Sequence, residues 1–395
     1  MNSRLKRIAT GLAAWLVAAA IWLSCLHLFF ARPAAAFRAT AGLSPKARAL
    51  AARHLQLWTD PALREQELRR MRASNAEWDF MGRSFLAWSL ANMALRDPAA
   101  KAVCLETLDR IIDETVRLDQ QEGFRFFLMP YASARPYVMQ PERSLFLDGE
   151  IAMMLASRRL AEEKPEYKPL LAGRVDLIVE RLQRSPNRVL ESYPNECWMF
   201  DHAVALAVLR MADRLDGTDH SALCREWVAM AKRKLVHRES GLLVSSFTTD
   251  GETIDGPEGS TLWMVAHCLQ LVDADFAREQ YALARRELGR TTLGFSYARE
   301  WPATWHGPAD IDSGPIIPVF QISAGSSGMA FIGASAFGDD SFLASLAATL
   351  DFAAFPSRRN GALRYCASNQ VGDAALLYAA TLGPIWQKVL SPAKL

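Results

Sequence analysis

The sequence predicts an all-α protein built as a ring of helical hairpins, a toroid, preceded by one N-terminal transmembrane helix. Three observations support this fold class. Apolar residues recur at helical spacing through most of the chain after residue 40. The connections between the predicted helices alternate between short and long, and an apolar run without charged residues occupies 8–30.

The helical period is clear where charged residues separate the apolar ones. Leu86, Leu90 and Met93 fall on one helical stripe, for example. No segment shows a convincing run of strands, although residues 242–248 could pair locally. The predicted helices are 45–57, 61–73, 77–95, 100–118, 143–162, 166–183, 199–216, 219–235, 258–271, 274–289, 314–336, 340–353 and 371–386.

The alternation of loop lengths predicts the ring. Hairpins with tight turns at one end and long loops at the other collect their long loops on one face, and function usually lies where loops gather on a rigid scaffold. An irregular helical bundle is the alternative. No linker divides residues 37–395, which we expect to form one domain. The short connections are 96–98, 216–218, 272–273 and 338–340, and the long ones are 119–142, 184–198, 236–257, 290–313 and 354–370.

The first 36 residues have the composition of a membrane segment. Arg4, Lys6 and Arg7 precede a 23-residue run without a charge, which is long enough to span a bilayer core. The basic flank predicts a cytoplasmic N-terminus. The favoured interpretation is a single-pass anchor in the inner (cytoplasmic) membrane with the following domain on the outer (periplasmic) side. A signal peptide cleaved near 34–36 is the alternative.

The overall composition excludes some functions. The chain has 45 basic and 43 acidic residues, a net charge of +2, which provides no general field for nucleic acid. Among its 11 Trp residues, Trp198, Trp301 and Trp305 fall in predicted loops, where they either pack or stack on a ligand.

The six cysteines form no zinc-type pattern. Cys25 lies in the apolar run. Cys197 and Cys366 lie in predicted loops, where they could pair or one could be reactive. The other three, Cys104, Cys224 and Cys268, fall on apolar helical stripes and are expected in the core.

Polar residues gather at the predicted helix starts on the long-loop face, first in residues 75–83. Asn75 is a candidate N-cap, and first-turn placement at the helix dipole is a sufficient explanation for Glu77. Asp79 and Arg83, at i and i+4, can form an ion pair on one face. If that face lines the ring, the pair is a buried site element.

The densest polar cluster spans residues 191–202. Five groups capable of proton transfer or nucleophilic attack fall within ten positions. Neighbours on a helix point about 100° apart, so Asp201 and His202 cannot share one face and one of them is expected to be structural. The five are Tyr193, Glu196, Cys197, Asp201 and His202.

Two further segments carry acidic residues. Glu258 opens the helix predicted at 258–271, as a first-turn acid or a site residue. Ser260 lacks the nucleophile elbow of a serine hydrolase. The loop 299–315 is rich in Pro and Gly, and a carboxylate at its junction with the next helix is a candidate for a shifted pKa and acid/base work. Its candidate residues are Glu300, Trp301, His306, Asp310 and Asp312.

Cofactor motifs find little support. The seven His are scattered without metal-ligand spacing, and phosphate loops and dinucleotide fingerprints are absent. We therefore expect a protein that acts without a cofactor.

Three motifs carry a family resemblance: Trp78–Arg83, Tyr193–Asp201 and Asp310–Pro315. On these the chain resembles the linalool dehydratase/isomerase-like superfamily, in its broad and mostly uncharacterised branch, over most of residues 45–390. The resemblance implies an (α/α)6 toroid, export across the inner membrane, and cofactor-free acid/base removal or addition of water on a terpenoid alcohol. It also implies a site with an Asp, tyrosines, a His and two cysteines. Cys197 lies in the motif region, without a second cysteine nearby.

Three functional hypotheses follow. The first is a cofactor-free lyase or isomerase, in which Asp79 orients or deprotonates a small alcohol and Cys197 or Glu196 donates a proton. The second is a carbohydrate-active enzyme with a pair of catalytic carboxylates. The third is an envelope protein that binds a lipid or a partner without catalysis. Residues expected around the substrate are Trp78, Arg83, Tyr131, Tyr193, Trp198, Glu258, Trp301 and His306.

Overall fold

The computed structural model describes residues 3–309 and 313–391. Its first helix, α1 (Ser3–Cys25), has no buried residue. Together with the 3-10 turn Leu26–Phe29 it forms a 27-residue apolar segment whose length and composition suffice to cross a membrane. A second 3-10 turn, Ala34–Ala36, leads to Phe37, which is buried in the folded domain.

Helices account for most of the domain, and their bounds lie close to those predicted. Asn75 caps α4 as expected, because its side chain accepts a hydrogen bond from the backbone N–H of Glu77 at 2.8 Å. The helices are α2 (Pro45–Thr59), α3 (Pro61–Ser74), α4 (Ala76–Arg96), α5 (Lys101–Glu122), α6 (Leu145–Ala161), α7 (Tyr167–Arg184), α8 (Met199–Asp216), α9 (Ser221–Lys234), α10 (Gly259–Leu269), α11 (Ala274–Glu287), α12 (Ala324–Phe337), α13 (Asp340–Ala353), α14 (Gln370–Thr381) and α15 (Pro384–Leu390).

Alternate helices form a closed inner ring. In the part of the chain that the structure describes, α4, α6, α8, α10, α12 and α14 contact one another in this order, and α14 contacts α4. The helices between them pack outside, and α2 completes the outer layer against α14. The fold is therefore all-α and an (α/α)6 toroid, as predicted.

Burial explains which helices line the ring. Every residue of α6 is buried, as expected for a helix surrounded by others. The outer helix α11 buries a single stripe that includes Phe276, Gln280 and Tyr281. Apolar composition on all sides therefore selects the inner positions, and amphipathic helices take the outer ones.

The inner helices all begin on the face that carries the long loops, and this face also carries short strands. Strands β1, β2 and β3 form an antiparallel sheet, and the other strands pair as hairpins between consecutive strands. The strands are β1 (Cys197–Trp198), β2 (Ser246–Phe247), β3 (Thr253–Asp255), β4 (Gly289–Thr292), β5 (Phe295–Ala298), β6 (Ile316–Ile317), β7 (Ile322–Ser323), β8 (Pro356–Arg359) and β9 (Ala362–Tyr365).

Two predicted helices need correction. The first half of 314–336 is the β6–β7 hairpin, because β-branched residues and Pro318 favour an extended chain until Ser323 caps α12. The segment 371–386 splits into α14 and α15 at Gly383, whose φ of 124° a side chain would disfavour. The hairpin β8–β9 was also missed, although Asn360–Gly361 is a strong signal for a two-residue turn.

The last helix closes the end of the ring opposite the long loops. In α15 the Trp386 ring stacks on His267 at 4.2 Å, and its Nε1 donates to the His267 carbonyl at 3.2 Å. The Ile385 backbone N–H donates to the side chain of Asn92, near the end of α4, at 3.1 Å. The ring is therefore blocked at its short-turn end and accessible from the long-loop face.

Candidate functional site

A cavity of about 220 Å³ lies on the long-loop face, where α4, α6, α8 and α10 begin. Its lining combines aromatic and aliphatic side chains with a small number of polar groups, which is the usual composition of a small-molecule site. We call this cavity the central pocket. The lining residues are Asn75, Glu77, Trp78, Met81, Met129, Tyr131, Phe146, Tyr193, Trp198, Phe200, Asp201, Ser260, Thr261 and Ser313.

Tyr193 occupies one wall of the central pocket and is held by two hydrogen bonds. Its hydroxyl donates to Glu77 and accepts from the backbone N–H of Met129 at 3.0 Å. Burial, followed by the neighbouring Glu77, raises the pKa of Tyr193. The phenol is therefore a neutral donor whose proton points at the Glu77 carboxyl group.

Tyr131 and Trp198 form an aromatic side of the same pocket. The Tyr131 ring stacks on Tyr193 with the centroids 4.3 Å apart. One carboxyl oxygen of Glu196 accepts from Trp198 Nε1 at 2.6 Å and from the Tyr131 hydroxyl at 3.3 Å. Burial raises the pKa of Glu196. Glu196 does not line the pocket, and it holds these two rings in position.

Asp201, in the first turn of α8, is one of the two acids that line the central pocket. It is 5 % exposed, and the Ser192 hydroxyl donates to one of its carboxyl oxygens. Burial raises the pKa of Asp201 to about 8, and Glu77 and Glu196 add to the effect, whereas the hydrogen bond from Ser192 opposes it. At neutral pH Asp201 is therefore mainly a protonated acid facing an apolar cavity.

A second buried acid, Glu150 on α6, was missed by sequence reasoning. It is 1 % exposed, and neither of its carboxyl oxygens has a hydrogen-bond partner among the described residues. Burial raises its pKa well above the ordinary value, and Asp201 and Glu77 contribute, while Ser84 has a smaller opposite effect. The available signal was the presence of two acids, Asp148 and Glu150, in the otherwise apolar stretch 145–156, since only a ring interior buries such a helix on all sides.

Glu77 is the other residue that the sequence interpretation left outside the site. In the sequence, a favourable interaction with the helix dipole was a sufficient reason for an acid at this first-turn position. The structure places Glu77 in the pocket wall beside Trp78. Residues two apart on a helix point about 200° apart, so Glu77 and Asp79 cannot both face the ring. The apolar neighbours Trp78 and Met81 were the signal that this face of α4 turns inward.

Asp79 and Arg83 form the predicted ion pair but lie away from the central pocket. Arg83 Nε donates to Asp79 at 2.7 Å, and the Arg83 guanidinium also donates to Glu114 of α5 at 3.0 Å. Arg72 of α3 lies 3.5 Å from Asp79. The pair lines a separate cavity between α3, α4 and α5, so it stabilises helix packing rather than contacting a substrate in the ring.

His202 and Cys197 lie behind the pocket wall. His202 Nε2 accepts the backbone N–H of Leu190 at 2.9 Å, which assigns Nδ1 as the donor to the Trp198 carbonyl at 2.7 Å. Burial lowers the pKa of His202 to about 4. Cys197 is fully buried, and burial raises the pKa of its thiol. Neither residue lines the central pocket, and the thiols of Cys197 and Cys366 are both free.

The remaining candidates are spread over the long-loop face. Glu258 is buried at the start of α10, Trp301 is half-buried, and His306 is exposed, and none of them lines the pocket. Trp305, considered as a stacking platform, packs on the backbone of Gly256 and Gly307, where an added Cβ would lie 2.4 and 2.2 Å from its ring.

Three acids of the loop 299–315 remain to be placed. Asp310 and Asp312 lie outside the described residues. Glu300 receives hydrogen bonds from the backbone N–H and hydroxyl of Ser260, at 2.9 and 2.5 Å, and so fixes the start of α10. Within residues 3–309 and 313–391, no three His, Cys, Asp or Glu side chains are close enough to hold a metal ion.

Several solved structures are similar to this chain at low identity. A family 76 α-mannanase from Bacteroides thetaiotaomicron matches with a TM-score of 0.46 and 10% identity, over 76% of this chain and 85% of its own. A polysaccharide lyase matches with a TM-score of 0.44 and 12% identity, over 75% of this chain and 88% of its own. A family 105 glycoside hydrolase from C. acetobutylicum matches with a TM-score of 0.45 and 11% identity, over 83% of this chain and 98% of its own.

The sequence itself matches one described family. A search of curated proteins found no match. The family model for linalool dehydratase/isomerase matches residues 167–371, which is more than half of the chain. The matched segment contains Tyr193, Trp198 and Asp201 of the central pocket. On this match, the chain belongs to the linalool dehydratase/isomerase family.

Proposed function

We propose that this protein is a cofactor-free lyase or isomerase that removes water from, or adds it to, a small and largely apolar alcohol. The observation that carries the proposal is Asp201, a buried acid with a raised pKa in the lining of a largely apolar pocket. A neutral carboxylic acid is the group needed to protonate a hydroxyl so that it leaves as water.

The residues around Asp201 supply the second half of the reaction. Asp201 donates its proton to the substrate hydroxyl, the C–O bond breaks, and water leaves. A proton is then lost from the neighbouring carbon to Glu77, either directly or through Tyr193, which already donates to Glu77. The double bond takes the electron pair of that C–H bond. Return of the proton from Glu77 to Asp201 restores the starting state of both groups, and the reverse sequence adds water.

The pocket limits the size of the substrate. A volume of about 220 Å³ is below the roughly 300–1,000 Å³ of sites for drug-sized ligands. Trp78, Met81 and Phe146 provide an apolar wall. A compact hydrocarbon chain or ring with one hydroxyl fits this volume and this lining.

Hydrolysis of a small glycoside is a second candidate. Two carboxyl groups, Glu77 and Asp201, line the pocket. On the aromatic side of the pocket, the Tyr131 side chain is 46 % exposed. A pair of carboxyl groups is the catalytic arrangement that most glycosidases use. The small volume restricts this candidate to a single sugar ring in the pocket.

We further propose that α1 anchors the protein in the inner membrane and that the toroid lies on the periplasmic side. The 27-residue apolar segment supports the span. Arg4, Lys6 and Arg7 at its start favour a cytoplasmic N-terminus.

The test uses the full chain in detergent with a panel of small terpenoid and aliphatic alcohols and a panel of short glycosides. We expect loss or gain of one water from an alcohol, detected by mass spectrometry, and at least a hundredfold loss of rate in Asp201→Asn. Asp275→Asn, at an exposed position on α11, is the matched control and should keep full activity. Cleavage of a glycoside without turnover of any alcohol would contradict the lyase proposal and support the second candidate.

A further inference from the structure

An exposed apolar surface begins where α1 joins the folded domain. The His27 ring rests on the turn between β4 and β5, where a Cβ added to Gly294 would lie 2.3 Å from the ring. Phe30 packs against Phe352 of α13, with the ring centroids 5.3 Å apart, and against Phe295 of β5 at 6.3 Å. The segment that follows α1 is therefore attached directly to this side of the toroid.

The apolar surface continues along β5 towards the next hairpin. Phe295 and Tyr297 point to the same side of the strand because side chains alternate along it. The Tyr297 ring lies 6.4 Å from Phe320, in the loop between β6 and β7. We call this surface the apolar rim, and its exposed members are Leu293 (48 %), Phe352 (44 %), Val319 (90 %) and Phe320 (47 %).

The loop between β6 and β7 presents its apolar residues under strain. Val319 has a φ of 35° and Gln321 a φ of 55°. A positive φ is unfavourable for a β-branched residue, and such strain is concentrated at functional positions. Here the strained backbone holds an apolar side chain almost fully in solvent, so folding of this domain alone gives no reason for it.

We infer that the apolar rim docks on the surface of the bilayer that α1 crosses, an inference that rests on the proposed role of α1 as a membrane anchor. The rim includes Phe30 and is continuous with the end of the apolar segment, so an anchored chain holds it at the membrane surface. Large exposed apolar patches mark interaction sites, and here the bilayer is the surface within reach. Arg358 and Arg359, exposed on β8, are suited to lipid phosphates.

Docking orients the central pocket. The β6–β7 hairpin lies between Ser313, which lines the pocket, and α12, which belongs to the inner ring. When the tip of this hairpin lies in the interface, Ser313 of the pocket lining is only a few residues along the chain from the layer in which apolar alcohols partition. The substrate class is therefore an alcohol dissolved in the membrane rather than one taken up from water.

The test measures the depth of single sites on the full chain in vesicles of phosphatidylcholine and phosphatidylglycerol. Leu293→Cys and Val319→Cys carry a polarity-sensitive fluorophore, and quencher-labelled lipid reports proximity to the bilayer. Cys25→Ser and Cys366→Ser form the background, because the other four cysteines are buried. Thr218→Cys, exposed in the turn at the opposite end of the toroid, is the control.

We expect blue-shifted emission at both rim sites and quenching several times stronger than at Thr218. Equal, weak quenching at all three sites on vesicle-bound chain would overturn the docking and leave the anchor intact. A chain that does not associate with vesicles would overturn both. The readout needs no turnover, so docked protein that is inactive on every alcohol would support the docking while refuting the proposed reaction.

Discussion

At the scale of single residues, the burial of Asp201 couples its ionisation to the stability of the fold. Its pKa rises from an ordinary 3.8 to about 8 in the folded state. Between these values the folded protein keeps a proton that the unfolded chain has lost. The stabilising contribution is complete below pH 3.8 and is lost as the pH rises through about 8.

Asp201→Asn is therefore expected to change the pH dependence of stability. The amide cannot ionise, so the variant should be similar to the parent near pH 4 and more stable above pH 8, by an amount on the order of a few kcal/mol. Thermal unfolding of both proteins across this pH range is the measurement. If stability depends on pH in the same way in the variant and the parent at alkaline pH, Asp201 ionises in the folded state without a loss of stability.

Glu150→Gln tests the second buried acid. Because burial raises the pKa of Glu150 well above its ordinary 4.5, the parent loses stability as the pH rises above this value, whereas the amide cannot ionise. Glu150→Gln should therefore be more stable than the parent at pH 7. The variant should lose less stability than the parent at alkaline pH. Denaturant unfolding at both pH values checks this, and a large loss at pH 7 would mean that the carboxyl group is needed in its charged form.

Tyr193→Phe separates the hydroxyl from the ring. The substitution keeps the stack on Tyr131 and leaves the Met129 N–H and Glu77 without this partner, so we expect a loss of about 1–3 kcal/mol of stability. If Tyr193 passes a proton to Glu77, kcat should fall while KM changes little. Tyr131→Phe removes the longer hydrogen bond to Glu196, at 3.3 Å, and is the comparison, with an expected cost below about 1 kcal/mol.

At the scale of elements, the ion pair between Asp79 and Arg83 holds α4 against its outer neighbours. Both side chains are buried, and Arg83 also bonds Glu114 of α5. Removing one partner of a buried pair leaves an uncompensated charge, which costs about 3–5 kcal/mol. Arg83→Met should therefore destabilise the protein by this amount.

The same variant distinguishes a structural role from a catalytic one. Because the pair lies outside the central pocket, the activity per folded molecule of Arg83→Met should match that of the parent below its melting temperature. Activity measured against the folded fraction, from circular dichroism, checks this. A large fall in kcat of fully folded protein would show that Arg83 contributes to the reaction and not only to stability.

At the scale of the whole molecule, α15 closes the ring opposite the pocket. Trp386 is 5 % exposed, and its ring stacks on His267 of α10. Trp386→Ala should cost about 3–5 kcal/mol, the usual range for a buried tryptophan. A lower Tm with one cooperative transition is expected, and an unchanged Tm would show that the base of the ring does not need this helix.

Much of the architecture was predictable because its causes are local. Helical periodicity, the cap at Asn75 and the alternation of loop lengths are properties of neighbouring residues, and they predicted the helices and the toroid. The β6–β7 hairpin shows the limit of this approach. Its residues suit either a loop or a strand, and the pairing of Ile316 with Ser323 and of Ile317 with Ile322 decides between them.

The composition of the pocket was only partly predictable. Trp78, Tyr131, Tyr193, Trp198 and Asp201 were candidates, and the structure brings them together because four inner helices begin at the same point. Glu77 and Asp79 illustrate what the sequence left open. Both suit the first turn of α4, and the direction in which that helix faces the ring decides which of them reaches the pocket.

The sequence alone determined the fold class, the family and the apolar segment at the N-terminus, because each depends on patterns along the chain. Tertiary structure alone decided the protonation of Asp201 and Glu150, since a pKa shift of this kind arises from the exclusion of water by distant helices. It also decided that Phe30, Phe295 and Phe352 meet at one surface, because ring closure brings α13 and β5 to the end of α1.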